Sequence, residues 1–375
     1  MTMTPTAAGA PLPYDPSFEF EEEGEADTVA GLLDSLKTIS TTTYEHSGHA
    51  SRSVHAKSHG LLLGELTVVD GLPAVYAQGL FAAAASYPVA MRLSTTPGDM
   101  LDDKVSTPRG LGMKVVGVPG ARVEGSEGDV TQDFVLVNGP AFLAPTAKKF
   151  LASLKPLVAT TDRAPNLKRA FSAVLRGTEK VIEAVGGESA TIKSMGGHPE
   201  THPLGETYFS QAPILFGPYM AKVSLAPVAP ELTALTGQEV DLSGTPDGLR
   251  KAVVEHFATR GGVWELRVQL CVNLDKMPIE DASVEWMEED SPWVTVARVQ
   301  ARPQAAWSEE LSRVVDDGMQ FNPWHALAAH RPLGSIMRVR KHAYAMSRRF
   351  RAERNGVALQ EPSTIGALPA LAGVM

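Results

Sequence analysis

The order of apolar and polar residues along the chain predicts one sheet combined with several helices. Short runs of β-type alternation separated by turn residues predict antiparallel strands. These runs cover residues 60–69, 76–80, 89–94, 112–118, 134–137, 219–225, 262–274 and 293–299. The run at 262–274 has the clearest alternation, because apolar residues occupy the even positions from Trp264 to Leu274. It therefore predicts a strand with one buried face and one polar face, and places Cys271 on the polar side.

Helical spacing of apolar residues predicts helices at 29–37, 146–157, 166–185 and 308–315, and a terminal helix over 334–355. Gly356, directly after the terminal helix, suits its C-cap because glycine adopts left-handed backbone angles without strain. The strands and helices together predict an α+β fold. No internal repeat recurs at a fixed period, so a repeat architecture is not expected.

The chain divides into one main domain with an extension at each end. Residues 1–26 contain four prolines and the acidic run Glu19–Glu25, a composition that predicts a flexible N-terminal arm. We expect the main domain at 27–355 and a C-terminal tail at 356–375. A single domain of this size is compatible with a β-barrel, which often exceeds ~200 residues as one unit.

Composition narrows the class of protein. The chain has 375 residues, of which 43% are hydrophobic and 21% charged, as in folded globular proteins. Its net charge of -9 argues against a nucleic-acid partner. With Cys271 as its only cysteine the chain forms no internal disulfide, which favours a reducing compartment. Since no signal peptide or long apolar run is present, we expect a cytoplasmic protein without a membrane anchor.

Four histidines lie close together in sequence, at His46, His49, His55 and His59. Their spacing raises the possibility of a zinc site, but the indication is weak. The residues between His55 and His59 supply no carboxylate base of the H-E-x-x-H kind, and cysteine ligands are absent. A surface or structural role is the default for any one of them.

His55 stands out because of its neighbours. The segment Arg52-Ser53-Val54-His55-Ala56-Lys57 places two cations around it and resembles the R-x-V-H-A-K signature of haem catalases. Downstream, Met91–Thr95 is similar to the R-F-S strand of that family, and Pro108–Gly110 to the element that follows it. Three matches in the same order are much more specific than one.

A fourth match lies in the terminal helix. Residues 338–344 with Arg351 resemble the catalase R-x-F-x-Y…R segment, whose tyrosine binds the haem iron. A phenol keeps its proton near neutral pH unless positive charge lies close by. Arg340 precedes Tyr344 by one helical turn and lies on the same helix face. Without the upstream matches, an ordinary amphipathic helix with Tyr344 in the core would be the preferred interpretation.

The resemblance runs from about residue 51 to 351, and residues 206–210 and 321–335 look like the smaller catalase-related peroxidase branch. It implies a catalase-like antiparallel β-barrel core with surrounding helices and a C-terminal haem-binding helix. The cofactor would be haem b. Because little chain precedes His55 or follows the terminal helix, we expect the barrel core without the long arm and extra domains of larger catalases.

The resemblance also implies a role for each matched residue. Tyr344 would ligate the iron, and His55 would be the catalytic base on the opposite side. Arg52, Arg92 and Arg351 would neutralise the haem propionates through charge-assisted hydrogen bonds. The other residues that the resemblance assigns to the cofactor site are Val54, Phe142, Phe150 and Arg340.

One catalytic position stays open between two residues. The segment Asp133–Phe142 is similar to the catalase segment that supplies a distal asparagine. A gapless match places that position at Val137, and a shift of one residue brings Asn138 there. In a strand such a shift turns the side chain to the other face. Asn138 is therefore a candidate catalytic residue or a turn asparagine at the strand end.

The resemblance implies a peroxidase or catalase that cleaves hydrogen peroxide or organic hydroperoxides through a ferryl intermediate. His55 would move a proton between the peroxide oxygens. We expect an organic reducing donor and, as is usual in the family, a homo-oligomer. Val54 favours peroxide cleavage, since catalases have valine where allene oxide synthases have threonine. Two alternatives remain: a fatty-acid hydroperoxide isomerase or lyase of the allene-oxide-synthase type, and a haem- or zinc-binding protein without turnover.

Overall fold

A computed structural model describes residues 9–160, 198–358 and 361–364, and its centre is a closed antiparallel sheet. The strands in chain order are β1 (Ser58–Val68), β2 (Ser86–Thr95), β3 (Arg109–Val116), β4 (Thr131–Val137), β5 (Tyr208–Phe209), β6 (Ile214–Phe216), β7 (Tyr219–Pro227), β8 (Gly262–Leu270) and β9 (Val294–Ala301). Eight of them form a ring in the order β1-β2-β3-β4-β5-β7-β8-β9, and β6 pairs with β7 outside it. The ring leaves no open sheet edge, and the predicted α+β barrel is confirmed.

The short strand β5 closes the ring. Phe209 pairs with Val137 of β4 on one side and with Ser224 of β7 on the other. Two residues suffice because the remaining six junctions are made by longer ladders. The sequence did not predict β5 or β6, since two or three residues are too few for a period-2 pattern to be recognised.

The predicted strand at 76–80 is wrong. This segment is a turn that leads into the 3₁₀ helix Gly79–Phe81. The backbone N–H of Leu80 donates to Nε2 of His330 at 3.0 Å, and the ring of Phe81 stacks on Phe216 with centroids 5.7 Å apart. Leu80 and Phe81 are thus buried by contacts with β6 and His330 and not as members of a strand, although their segment shows strand-like alternation.

Alternation along β8 sets the barrel core as predicted. Trp264, Leu266 and Val268 are buried in the core, while Glu265 and Arg267 lie at the other face. The alternation ends at Leu270, and Cys271 is fully buried in a separate apolar cluster rather than on a polar face. Burial raises the pKa of the Cys271 thiol to about 11, so the residue is a structural one.

Helices pack around the ring. Those of the described residues are α1 (Glu25–Ser47), α2 (Ala147–Thr160), α3 (Pro230–Thr233), α4 (Gly248–Phe257), α5 (Glu309–Ser312) and α6 (Ser335–Asn355). A π-helical turn, Arg313–Gly318, follows α5 directly. Gly356 ends α6 with φ 65°, which confirms the predicted C-cap. The helix predicted at 166–185 lies outside the described residues.

Helix α1 is longer than predicted because its C-terminal half carries polar residues that are satisfied locally. The hydroxyl of Thr43 donates to the carbonyl oxygens of Ile39 and Ser40, and Ser40 bonds Ser53 outside the helix. The helix ends at Gly48, which has φ 71°. Hydroxyl residues that return a hydrogen bond to the preceding turn are tolerated inside helices, although they weaken the apolar pattern.

Residues 9–26, which were expected to belong to a flexible arm, instead dock on the barrel and on α6. Pro13 pairs with Tyr219, and Glu19 forms an ion pair with Arg331 at 2.8 Å. Glu25 binds Arg338 at 2.6 Å. The acidic run therefore neutralises arginines more than 300 positions later in the chain, a pairing that composition could not reveal.

Helices α1, α2 and α6 form a layer on the outer side of the barrel. Their apolar faces meet through Leu32 and Leu36 of α1, Leu154 of α2, and Ile336 and Val339 of α6. This layer creates a cleft between the helices and the sheet. None of the helices within the described ranges has the length and apolarity needed to cross a bilayer.

Candidate functional site

A cavity lies between the outer face of the barrel and helices α1 and α6. Strand alternation explains which side chains enter it: Met91 and Leu93 of β2 point into the barrel core, so Arg92 and Ser94 point outward. The polar side chains that line the cavity include Arg52, His55, Arg92, Ser94, Gln320, Tyr344, Ser347 and Arg351. The sequence-predicted base, iron ligand and three arginines therefore meet in one place.

Two glycines on β3 form the floor of this cavity. Gly110 pairs with Ser94 of β2, and Gly112 pairs with Arg92, so both face outward. A Cβ on Gly110 would lie 2.4 Å from the His55 ring, and one on Gly112 would lie 2.7 Å from the Phe321 ring. The absence of side chains on this strip lets both rings lie directly against the sheet.

His55 is held in an unusual backbone conformation. Its φ of 56° lies in the left-handed region, which non-glycine residues seldom adopt. The backbone N–H of His55 donates to the carbonyl of Thr96 at 2.7 Å, and that of Ala56 to Pro97 at 3.0 Å. Conformations of this kind persist where the surroundings enforce them, and they cluster at functional sites.

The imidazole of His55 is arranged as a neutral base. Its Nδ1 lies 3.1 Å from Oγ of Ser94, which in turn lies 3.4 Å from the carbonyl oxygen of Gly110. If that hydroxyl donates to the carbonyl, it accepts from Nδ1–H, and Nε2 is left as the proton acceptor. Burial, together with the positive charges of Arg92, Arg340 and Arg52, lowers the pKa of His55 to about 3.

Three arginines form a cationic wall of the cavity, and a single carboxylate ties two of them together. Nη1 of Arg52 lies 3.1 Å, and Nε of Arg92 2.5 Å, from Oδ1 of Asp316. Burial disfavours the charge on Asp316, but Arg92 and Arg52 outweigh it and hold its pKa well below the usual range.

Arg351 is the third cation, and it is buried at the same wall. Its Nη1 donates to Oγ of Ser347 at 3.1 Å, and its Nε has no partner among the described residues. Burial and the charge of Arg92 lower the pKa of Arg351 to about 10. A buried guanidinium with an unused N–H faces a cavity that carries net positive charge.

Tyr344 enters the cavity from α6, one turn after Arg340. The phenol lines the cavity, while the Arg340 guanidinium lies over the ring of Phe142 at 5.6 Å and near Sδ of Met337 at 3.7 Å. Arg340 also acts on His55, since its charge contributes to the lowered pKa of that histidine. The helix thus presents the phenol and a cation to the same region.

The remaining predicted cofactor residues flank the cavity. Val54 lines it directly. Phe142 and Phe150 pack edge to face, with ring centroids 5.1 Å apart, in the apolar layer that also contains Leu36 and Ala343 of the cavity wall. The two phenylalanines therefore support the cavity from behind rather than line it.

The strand register separates Val137 from Asn138. Val137 pairs with Gly110, which places it on the outward row that also contains Ser94, although it is not among the residues that line the cavity. Asn138 turns the other way: its Oδ1 accepts from the backbone of Arg109 at 2.7 Å, and its Nδ2 contacts the His198 ring at 2.8 Å. The structure brings together the base, the phenol and the arginines, but Asn138 lies outside the cavity lining.

The four neighbouring histidines do not converge on one metal position. His49 pairs with Asp317 at 2.9 Å, and His59 contacts Thr95 at 3.1 Å in the buried interior. His55 faces the cavity alone. Within the described residues, the group with metal-ligand geometry lies elsewhere, at Asp133, His325 and Glu361.

Comparison with known proteins shows the fold. No protein-family model and no curated protein matches the chain. Solved structures with the same fold include a fungal catalase (TM-score 0.58, 18% identity), a bacterial catalase (0.55, 16%) and catalase A from Saccharomyces cerevisiae (0.57, 16%). The matches cover 84%, 83% and 86% of this chain, and 62%, 59% and 65% of theirs. The chain has a catalase-like fold and spans about three fifths of the length of these catalases.

The residues present fit a haem. A phenol and an imidazole enter one cavity, and apolar side chains such as Leu36 and Val54 form much of its wall. The unpartnered N–H of Arg351 suits an anionic group, as haem propionates are. A tyrosine is the ligand type known for haem iron in catalases.

Several residues of the site were missed at the sequence level. Asp316 lies in a π-helical turn, one residue past the end of the helix predicted at 308–315, and nothing in its local pattern marks it. Gly110 and Phe321 stood inside matched segments but without a role. Their function becomes visible only from the cross-strand register and from the rings that lie against the sheet.

We expect Gly110→Ala to lower the free energy of unfolding by about 1–3 kcal/mol, because its methyl group would overlap the His55 ring and overpack a filled site. Chemical denaturation measures this. Gly128→Ala is the matched control, since a Cβ there meets nothing within 4 Å and φ is not positive. Equal stability of the two variants would contradict the close approach of His55 to β3.

Proposed function

We propose that this chain, which has the catalase fold, is a haem enzyme that cleaves peroxides, with Tyr344 as the iron ligand and His55 as the base. One observation carries the proposal. Residues 289 positions apart, on a segment before β1 and on the terminal helix, present an imidazole and a phenol to one cavity beside three arginines, of which Arg92 and Arg351 are buried. Neither an ordinary amphipathic helix nor a structural histidine requires this convergence.

His55 is suited to move a proton. Its lowered pKa keeps the imidazole neutral near pH 7, so it can accept the proton of a bound hydroperoxide and return it to the distal oxygen. Ser94 orients the ring through Nδ1, and Gly110 allows it to lie flat against the sheet. Bound haem would supply the iron at which the oxygen–oxygen bond is cleaved.

The arginines and Tyr344 hold the cofactor in this proposal. Tyr344 would ligate the iron, and Arg340 precedes it by one turn on the same helix. Arg92 and Arg351 would offer N–H donors to the carboxylates of the cofactor, and Asp316 links Arg52 to Arg92. These roles follow from which N–H groups of the arginines already have hydrogen-bond partners within the described part of the protein.

Substrates in this proposal are hydrogen peroxide or organic hydroperoxides, with an organic reducing donor to complete the cycle. Val137 pairs with Gly110 on the outward row and carries no hydrogen-bonding group, while Gln320 brings a side-chain amide to the cavity lining. Membership of the smaller catalase-related branch, and a role for Asn138, stay predictions.

Two substitutions test the roles. His55→Ala should lower the rate constant for peroxide cleavage by at least ~10²-fold while haem stays bound, because the base acts only on the reacting oxygens. Tyr344→Phe should instead displace haem or alter its absorption spectrum. Val29→Ala, in the same helical layer but not among the residues that line the cavity, serves as a control for general disturbance of the layer and should change both readouts little.

The same samples decide between the alternatives. Oxygen release and donor oxidation are assayed side by side after reconstitution with haem. Conversion of a lipid hydroperoxide without consumption of a donor would favour an isomerase or lyase. A protein that takes up no haem, or that keeps a wild-type spectrum without Tyr344, would refute the proposal.

The pH dependence tests the neutral state of His55. A base acts only when deprotonated, and with a pKa of about 3 His55 loses its function only on strong acidification. We therefore expect the second-order rate constant for peroxide to stay flat from about pH 8 down to about pH 5 in stopped-flow measurements. A fall centred near the ordinary histidine value of about 6.5 would contradict this environment.

A further inference from the structure

The π-helical turn Arg313–Gly318 has an unusual density of contacts with the cavity arginines. Both terminal nitrogens of Arg52 are used here: Nη1 donates to the backbone oxygen and Oδ1 of Asp316, and Nη2 to the backbone oxygens of Val315 and Met319 at 3.1 and 3.0 Å. Such turns are rare and occur often at functional sites, because they redirect one side chain.

Asp316 is the residue that this turn redirects. Its Oδ1 accepts from Arg52 and Arg92, and its Oδ2 accepts from the hydroxyls of Ser58 and Ser312, each at 2.7 Å. Both carboxylate oxygens are therefore saturated by donors from four different segments. A buried carboxylate with this many donors has a fixed position, and it fixes the groups that donate to it.

The hydrogen bonds divide the three arginines by role. Arg52 keeps only Nε–H, and Arg92 also donates to the carbonyl of Ala56 at 2.9 Å, which leaves Nη1 for a ligand. Among the described residues, Arg351 donates one side-chain hydrogen bond, to Ser347. Building on the proposed function, we infer that Asp316 is a positioning residue: it holds Arg52 and Arg92 in place, so that Arg92 and Arg351 receive the carboxylates of the cofactor.

The two possible roles of Asp316 predict opposite effects of its removal on haem binding. If Asp316 only dampened the positive charge of the wall, its removal would strengthen the binding of an anionic ligand. If it positions the arginines, Asp316→Ala weakens haem binding, because unpaired buried guanidinium groups turn to other acceptors. We expect a loss of at least ~10-fold in haem affinity, measured by spectral titration of the full-length apoprotein.

A second ligand separates positioning from a general folding defect. The dimethyl ester of haem lacks the carboxylates, so Asp316→Ala should bind it about as well as the wild-type protein does. Asp316→Glu should recover most of the affinity for haem itself. Asp317→Asn, which changes the adjacent acid that pairs with His49, is the matched control and should leave both affinities nearly unchanged.

Unchanged or tighter haem binding by Asp316→Ala, or an equal loss for haem and its ester, overturns the positioning role while the proposed function stands. If Asp316→Ala fails to fold, Asp316→Asn, which keeps an oxygen acceptor but no charge, is judged by the same criteria. A wild-type protein that binds neither ligand refutes the proposed function and this inference with it.

A second, independent observation concerns the C-terminal tail. Glu361 reaches the outer barrel face, where its carboxylate contacts the fully buried Lys114 of β3. Lys114 also donates to both oxygens of Asp133 on β4, at 2.7 and 2.8 Å, and His325 lies 3.1 Å from Glu361. The acids and the histidine have metal-ligand chemistry, but the ammonium of Lys114 already supplies the cation at their centre.

This cluster is joined to the wall of the cavity. Oδ2 of Asp133 accepts from the backbone N–H of Asn322 at 2.8 Å, and the backbone of Asp133 donates to the carbonyl of His325 at 2.9 Å. Phe321, between these anchors and the cavity, lies against Gly112. We infer that Glu361 closes a clasp, formed with Lys114, Asp133 and His325, which holds the 320–325 segment in place.

In this inference, closure of the clasp depends on the protonation of His325. Lys114 balances only one of the two carboxylates, so the four groups are neutral when His325 is protonated. Burial opposes that charge, but the hydrogen bonds with Asp133 and Glu361 outweigh it and raise the pKa of His325. Asp129, 4.0 Å from Nε2, adds negative charge, while Lys114 and, farther off, Arg122 add positive charge.

The direction in which pH changes the stability of the clasp follows from the pKa of His325 in the closed and open states. Because the pKa of His325 is higher in the closed clasp than in the open chain, closure is fully stabilised below the ordinary histidine value of about 6.5. The stabilisation is lost as the pH rises through the raised pKa.

Hydrogen exchange with mass spectrometry tests the clasp. Glu361→Gln should speed amide exchange across residues 320–327 at least ~10-fold, while Glu353→Gln, on the exposed face of α6, should not. In the wild-type protein, exchange corrected for its intrinsic pH dependence should rise with pH above ~6.5. Wild-type exchange rates in Glu361→Gln would overturn the clasp, and a wild-type profile flat in pH would overturn its proton linkage.

Discussion

The outward face of β3 is the constraint on which the cavity depends. Along this face the chain places Gly110 and Gly112, which allow the rings of His55 and Phe321 to lie against the sheet, and then Lys114, which binds the tail. A side chain at either glycine would push the aromatic ring above it out of the cavity wall. The position of His55, the proposed base, therefore depends on the lack of a side chain at Gly110 of β3.

Charge is the second constraint. The cavity brings together buried arginines whose mutual repulsion is only partly offset by Asp316. The same positive field keeps His55 neutral and favours an anionic ligand. One electrostatic arrangement thus serves the proposed base and the proposed cofactor carboxylates. We infer that the carboxylate of Asp316 is needed to hold Arg52 and Arg92 in fixed positions.

Local patterns predicted the parts of the fold that depend on a single segment. The alternation of β8, the terminal helix with its Gly356 cap, and the short runs around the barrel were read correctly because period and capping are properties of neighbouring residues. The segment at 76–80 was misread because Leu80 and Phe81 are buried by partners far away in sequence. The acidic run was misread for the same reason, since Glu19 and Glu25 pair with distant arginines on or near α6.

Sequence alone determined the fold class and the identity of the central candidates. The short motifs around His55, Arg92 and Tyr344 can be recognised from their order along the chain, without knowing the distances between them. Only the tertiary structure decided which side chains share a face. The register of β3 against β4 put Val137 on the outward face, opposite Gly110, and turned Asn138 away from it, and a π-helical turn brought Asp316 between two arginines. Facing and pairing are set by contacts between remote segments, and a one-residue shift that is invisible in a motif reverses them.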